Sequence, residues 1–246
     1  MRGRHNHAFV EILSANLVNC GRVLSWRMGF STGAAIRFGW ETFKRRPWCF
    51  VGSAFLILLA YGLAHAFTNG IDAAITGSPK NPSILGGVTN LALSTLIGMG
   101  VAAFYLAAHD HPDTVDLSVL WHPQPFWKYL GVSILLMLAI AVGLVLLIVP
   151  GIIFALMFMF APLIVIDREL GPIDSMNESN RITRGNKWPL LGFALLLVLI
   201  NLLGVLALVV GLLVSIPVST LAFVHVYRAL SAGMPARDAA MTARAA

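Results

Sequence analysis

The sequence predicts an all-α polytopic membrane protein, with six transmembrane helices arranged as three hairpins, each preceded by a segment lying in the cytoplasmic interface. Three observations lead there. The 246 residues are 58% hydrophobic and only 11% charged, with a mean hydropathy of +0.81, outside the range of ordinary soluble domains. Sixteen of the seventeen Lys and Arg residues fall on one side of the apolar runs. Three of those runs also begin alike, in RRPWCFVGSAFLILL, FWKYLGVSILLML and KWPLLGFALLLVL, where a Trp is followed four residues on by a Gly: Trp48/Gly52, Trp127/Gly131 and Trp188/Gly192.

A hydrocarbon core about 30 Å thick takes roughly 20 apolar helical residues to cross. Runs near 49–67, 85–108, 129–148, 151–167, 188–208 and 211–229 supply the six crossings. The last two form one apolar block from Trp188 to Tyr227, divided near Val210-Gly211. Pro162 in the fourth run and Pro217 in the sixth are tolerable where neighbouring helices or water satisfy the freed carbonyls. The polar stretch 68–83, with Gly77, Pro79 and Pro82, reads as a mobile outside loop.

Positive residues stay on the cytoplasmic side of short loops. Ahead of the first run stand Arg2, Arg4, Arg22, Arg27, Arg37, Lys44, Arg45 and Arg46. Lys128 lies between the second and third, and Arg168, Arg181, Arg184 and Lys187 between the fourth and fifth. Arg228, Arg237 and Arg244 follow the sixth, whereas Lys80 alone lies on the other side. Six spans with both termini in the cytoplasm account for this distribution; five would place the C-terminal arginines outside. The address expected is a bacterial inner membrane. The net charge of +6 then gathers at an anionic lipid surface, and nucleic acid is not an expected partner.

The chain divides into an N-terminal extension (1–30), a membrane domain (31–230) and a cytoplasmic tail (231–246). Residues 1–30 contain no continuous apolar core of a signal peptide. They read as an interfacial helix or as sequence ahead of a start at Met28. Cys20 and Cys49 both fall on the cytoplasmic side, where disulfides are rare, and no CxxC spacing suggests a metal site.

Each Trp marks where the chain enters the bilayer, because its ring is apolar while its N–H seeks a partner at headgroup depth. The Gly one turn deeper removes a side chain, which predicts close helix packing at Gly52, Gly131 and Gly192. Ser94, Gly98 and Ala102 make a second packing strip along the second span. In GAAIRFGWETFKRR, Ile36, Trp40 and Phe43 share a helical face beside Arg37, Glu41 and Lys44, the pattern of a helix in the membrane interface. In GPIDSMNESNRITRGNK, Pro172 suits a first turn, Gly185 a stop, and Glu178 and Arg181 are spaced to pair. The candidate headgroup contacts are therefore Arg37, Lys44, Arg45, Trp48, Trp127, Arg181, Arg184, Lys187 and Trp188.

The run LLIVPGIIFALMFMFAPLIVIDRELGPIDSMNESNRITRGNKWPLLGF resembles the membrane-domain family named after glycerophosphoryl diester phosphodiesterases, and related small bacterial integral membrane proteins. Pro150-Gly151, Pro162, Asp167, Gly171-Pro172, Ser179, Thr183, Gly185 and Trp188 carry the likeness, which continues through Gly192 and Pro217 to Tyr227-Arg228 and covers about 29–230. FSTGAAIRFGWETFKR also suits the family's opening. Asn180 departs from it, standing where an aromatic is expected. The fused phosphodiesterase needs a separate barrel of about 250 residues, for which these 246 have no room. The resemblance thus implies a fold and a membrane address, and no catalytic activity.

The residues themselves offer no HExxH pair, no GxSG turn and no Walker or dinucleotide glycine loop. No carboxylate lies near the centre of a span, which argues against a proton-coupled carrier and an intramembrane aspartyl protease. HDHPDTVD gathers His109, Asp110, His111, Asp113 and Asp116, a mixture that can bind a divalent metal but also suits a solvated loop with an N-cap. His65 and His225 read as side chains snorkelling at span ends. Asn201, at mid-membrane, predicts an interhelical hydrogen bond. No catalytic residue, cofactor or metal ligand is assigned. The sequence favours a non-catalytic protein that binds lipid, with a preference for anionic headgroups, or another membrane protein, through its interfacial helices and the grooves between hairpins. The alternative is a channel or carrier for a small or lipidic solute.

Overall fold

The computed structural model describes residues 30–121, 125–207 and 210–233, and the expectations for 1–29 and the rest of the tail lie outside them. The described residues form helices and no strand. An amphipathic α1 (Thr32–Arg45) leads into α2 (Pro47–Thr76), followed by α3 (Ile84–Asp110), a short 3-10 helix (Leu117–Trp121) and α4 (Phe126–Leu146). Next come α5 (Ile148–Phe158), α6 (Ala161–Arg168), α7 (Pro172–Thr183), α8 (Lys187–Leu206) and α9 (Val210–Ala232). Six segments among the described residues are long and apolar enough to cross a membrane, with α5 and α6 together making the fourth. Helix α2 packs along α3, α4 along α5, and α8 along α9.

The turn at the far end of α2 and α3 is not the loop expected over 68–83. Helix α2 continues to Thr76 and stops at Gly77, whose φ of 75° is left-handed. The polar side chains there close the turn instead of soliciting water. Asp72 Oδ1 accepts from Ser83 N at 2.8 Å and Ser83 Oγ at 2.5 Å, while Thr76 Oγ1 donates to the Asp72 carbonyl at 2.7 Å. At its 30 residues, α2 is about 45 Å long, more than the hydrocarbon thickness.

The fourth span is interrupted between Phe158 and Ala161. Pro162 has no N–H for the Phe158 carbonyl, and the broken turn borrows a hydroxyl from α7. Ser179 Oγ donates to the Met157 carbonyl at 2.8 Å and accepts from Phe160 N at 3.2 Å. This clip fixes α6 and α7 against the end of α5.

Half of the apolar window in α3 and in α9 is buried, against 17% in α4 and in α8. The fully buried large side chains include Phe104 and Tyr105 of α3, Phe160 and Ile164 near α6, Ile182 of α7, and Leu221, Tyr227 and Leu230 of α9. The dense core therefore sits where the C-terminal halves of α3 and α9 meet α1, α6 and α7. In α4 and α8 many large apolar side chains, such as Met137, Leu138, Leu195 and Val198, face outward, as a lipid-facing surface requires.

Helix α1 is docked on α9 by a face rotated one residue from the expected one. Ala35, Gly39 and Phe43 are buried, with Thr42 beside them, while Trp40 stays 45% exposed. Gly39 decides the rotation. A Cβ there would lie 2.5 Å from the Val218 carbonyl oxygen, so the two backbones touch as no larger residue would allow.

Candidate functional site: a charged junction at one end of the bundle

Three helices end their charged tips at one place: α3 with His109 and Asp110, α6 with Asp167 and Arg168, and α9 with His225, Tyr227 and Arg228. Arg228 is the hub. Its Nη2 donates to Asp110 Oδ2 at 2.5 Å, and its Nη1 lies 2.8 Å from both Asp167 oxygens. Tyr227 OH donates to Asp167 Oδ2 at 2.7 Å. The chain of opposite charges continues outward: Arg168 reaches Glu178 of α7 at 2.6 Å, and Glu178 holds Arg181 at 2.9 Å. Charge-assisted bonds of this length are the stronger kind, and this set ties α3, α6, α7 and α9 together.

Beside the hub, His109 Nδ1 faces Asp110 Oδ1 at 3.0 Å, and its Nε2 faces His225 Nδ1 at 3.2 Å. With both rings neutral, one imidazole donates and the other accepts. Phe38 of α1 covers them, with ring centroids 4.3 Å from His225 and 4.8 Å from His109. At the α1–α2 corner, Arg45 Nη1 pairs with Asp113 at 3.3 Å, and Arg46 Nη1 donates to the carbonyls of Asp113 and Val115 at 3.2 and 2.8 Å. The exposed Arg37–Glu41 pair, 2.7 Å apart, holds the Glu41 carboxyl below its usual range through the Arg37 hydrogen bond and charge.

Asp110, Asp167 and Glu178 each meet a guanidinium, so the arrangement is a clamp between helix ends. The HDHPDTVD cluster is dispersed: His109 and Asp110 turn to α9, Asp113 to Arg45, and Asp116 Oδ1 accepts from Leu117 N at 2.7 Å. Among the described residues, no group of three or more His, Cys, Asp and Glu is placed to hold a metal ion.

The three tryptophans Trp48, Trp127 and Trp188 are all strongly exposed at the starts of α2, α4 and α8. Lys44 lies over the Trp40 ring, Lys128 Nζ donates to the Glu169 carbonyl at 2.6 Å, and Arg184 is exposed beside Lys187 and Trp188. The glycine expectation needs correcting. A Cβ at Gly52 or Gly192 would meet nothing within 4 Å, and only Gly131 is crowded, by Pro172 Cγ at 2.8 Å. Gly52 and Gly192 point away from the core, so their missing side chains open the surface instead of admitting a helix.

The strip in α3 is similarly displaced. Ala102 is buried and Ser94 partly so, but Gly98 faces the Tyr129 hydroxyl. The close backbone approach occurs at Gly100, where a Cβ would lie 2.5 Å from the Leu120 carbonyl. Asn201 donates to Ser219 Oγ at 3.1 Å and to the Leu197 carbonyl at 2.9 Å, and accepts from Ser215 Oγ at 3.0 Å. This small polar set pins α8 to α9 around Pro217.

A family model described as Domain of unknown function (DUF7847) matches residues 117–243, just over half of the chain. The chain belongs to this family. The matched part carries Asp167, Ser179, Tyr227 and Arg228, so the hub and the hydroxyl clip lie inside it; His109, Asp110 and α1 precede it. Over 236 residues the chain is 27% identical to the uncharacterized protein Rv2560 of Mycobacterium tuberculosis (strain ATCC 25618 / H37Rv), covering 83% of this chain and 70% of that protein. The uncharacterized protein Mb2590 of Mycobacterium bovis (strain ATCC BAA-935 / AF2122/97) matches with the same identity and coverage. No solved structure gives a significant match.

The hub escaped the sequence reading because His109, Asp110, Asp167, His225 and Arg228 are scattered over 120 residues. A usable signal existed: each lies near the C-terminal end of an even-numbered span, and those ends share one side.

Proposed function

We propose that this is a non-catalytic integral membrane protein of a bacterial cytoplasmic membrane, with both termini in the cytoplasm, which binds anionic lipid at its charged end. The observation that carries the reading is the coincidence of three strongly exposed tryptophans at the starts of α2, α4 and α8 with Lys44 and Arg45, Lys128, and Arg184 and Lys187 beside them. Trp favours headgroup depth, and each basic residue near an anionic surface adds about 1 kcal/mol of attraction. In this reading the spans form three hairpins, and α1 and α7 lie at headgroup height over them. The likeness to the membrane domain named after glycerophosphoryl diester phosphodiesterases supports a membrane-embedded module of this build, and a membrane-protein partner on the same face is compatible with it. The carrier alternative draws on Asn201 and the prolines as a polar break; the polar atoms of Asn201 are taken up by Ser215, Ser219 and a backbone carbonyl, and the broken turn at Pro162 by Ser179.

The test is lipid co-purification from gentle detergent. Arg184→Gln with Lys187→Gln is the variant to use, because Glu178 holds the Arg181 guanidinium and replacing Arg181 would disturb the clamp. The double variant is expected to keep its helical circular dichroism and thermal stability while retaining less phosphatidylglycerol and cardiolipin. Unchanged anionic-lipid retention with an intact fold would leave these charges as orienting signals and favour a protein partner.

A further inference from the structure

An apolar groove of about 400 Å³ runs between α2 and α3, walled by Leu56, Ala60 and Leu63 on one side and by Leu96 and Val101 on the other, with Leu120 of the 3-10 helix also lining it. Resting on the lipid-binding reading above, we propose that this groove holds one acyl chain of an anionic phospholipid whose headgroup sits at Arg45.

Helical spacing connects the two ends. On α2, Trp48, Gly52, Leu56, Ala60 and Leu63 recur at intervals of four, four, four and three residues, one continuous stripe. Gly52 lies between the exposed Trp48 and the groove, with nothing within 4 Å of a Cβ there. A side chain at that position would stand in the stripe; glycine leaves the stripe bare between Trp48 and Leu56. This accounts for the Trp–Gly spacing at the first span, where helix packing does not.

The depth also fits. Leu56 to Leu63 lie 8 to 15 residues beyond Trp48, or about 12–22 Å along the axis. Half the hydrocarbon thickness is about 15 Å, so a chain anchored at the level of Trp48 enters the groove at Leu56 and ends within it, and the stretch toward Leu63 lies beyond the midplane.

Charge stands at the right end of the seam. Arg45 reaches across from the α1–α2 corner to Asp113, in the loop that follows α3, and the same stretch of chain supplies Leu120. Both partners of that pair are well exposed, at 58% and 70%, so the bond is weak and exchangeable and a phosphate can compete for the guanidinium. Arg46, by contrast, is committed to the backbone carbonyls of Asp113 and Val115.

The experiment is native mass spectrometry on the delipidated full chain, titrated separately with dioleoylphosphatidylglycerol, dioleoylphosphatidylcholine and oleate. Wild-type protein is expected to take up one phosphatidylglycerol first, about five-fold more tightly than phosphatidylcholine and ahead of oleate. Gly52→Trp and Ala60→Trp, which fill the trough from two heights on the lipid-facing side, each abolish that first binding event. Val198→Trp, on the exposed face of α8, leaves it intact, and Arg45→Gln removes the preference over phosphatidylcholine. The proposal is overturned if both trough variants bind phosphatidylglycerol as wild type does, if oleate binds better than the phospholipid, or if the trough variants dissociate a dimer without changing lipid uptake. Persistence of overall anionic-lipid retention while the first binding event is unaffected by the trough variants sinks the groove assignment alone; the Arg184/Lys187 result judges the broader reading.

Discussion

Replacing Asp167 by Ala removes the acceptor that Arg228 Nη1 and Tyr227 OH share. Two bonds are lost, each with a charged partner, and such bonds contribute about 1.5–3 kcal/mol apiece. Two features reduce the sum. Asp110 still holds Arg228 Nη2 at 2.5 Å, and the Arg228 side chain is 30% exposed, so water reaches part of what is vacated. A net loss of about 2–3 kcal/mol follows, below the 3–5 kcal/mol of a fully buried pair broken on one side. For a chain of this size that corresponds to a melting temperature lower by about 4–12 °C, measured by thermal unfolding of the detergent-solubilised protein. Arg228→Met alone should cost a similar amount, and the double variant much less than the sum, because the two share one interaction. Asp167→Ala melting with wild type, with helical content unchanged, would refute the clamp as a source of stability; full additivity in the double variant would refute direct coupling.

Two further substitutions address the backbone of the fold. Ser179→Ala leaves the Met157 carbonyl and Phe160 N–H without their shared hydroxyl; a cost of about 1–3 kcal/mol is expected in the same melting assay, whereas Ser94→Ala should lie close to wild type. Gly39→Leu and Gly100→Leu drive a side chain into the Val218 and Leu120 carbonyls and are expected to lose at least about 1–3 kcal/mol, while Gly192→Leu, which meets open space, is neutral. Equal melting of all three glycine variants would contradict the close contacts of α1 with α9 and of α3 with the 3-10 helix.

The six helices long and apolar enough to cross a membrane were legible because lipid-facing segments leave a strong compositional record, a window of about twenty apolar residues. Pro172 and Gly185 likewise mark the two ends of α7 correctly, since capping chemistry is local. What a side chain faces is not local. Gly52 and Gly192 look like packing glycines by spacing yet face open space, whereas Gly39 and Gly100 press on backbone and Gly98 on the Tyr129 side chain, because only the tertiary arrangement decides which face turns inward. The same holds for α1, whose apolar residues fit two overlapping faces until the Gly39 contact selects one. Residues 68–76 read as a loop from their polarity, but Asp72 and Thr76 spend that polarity on the turn into α3. The Arg228 hub required three helix ends to be brought together, and hydropathy registered its members only as span boundaries.

Impermeant thiol labelling of intact cells tests directly whether the charged junction faces the cytoplasm and the Asp72–Ser83 turn faces outside. With Cys20 and Cys49 replaced by Ala, a Lys80→Cys variant is expected to react from outside, and an Arg184→Cys variant only after the cells are opened. Labelling of position 184 in intact cells, with position 80 protected, would contradict the six-span arrangement with its basic face inward.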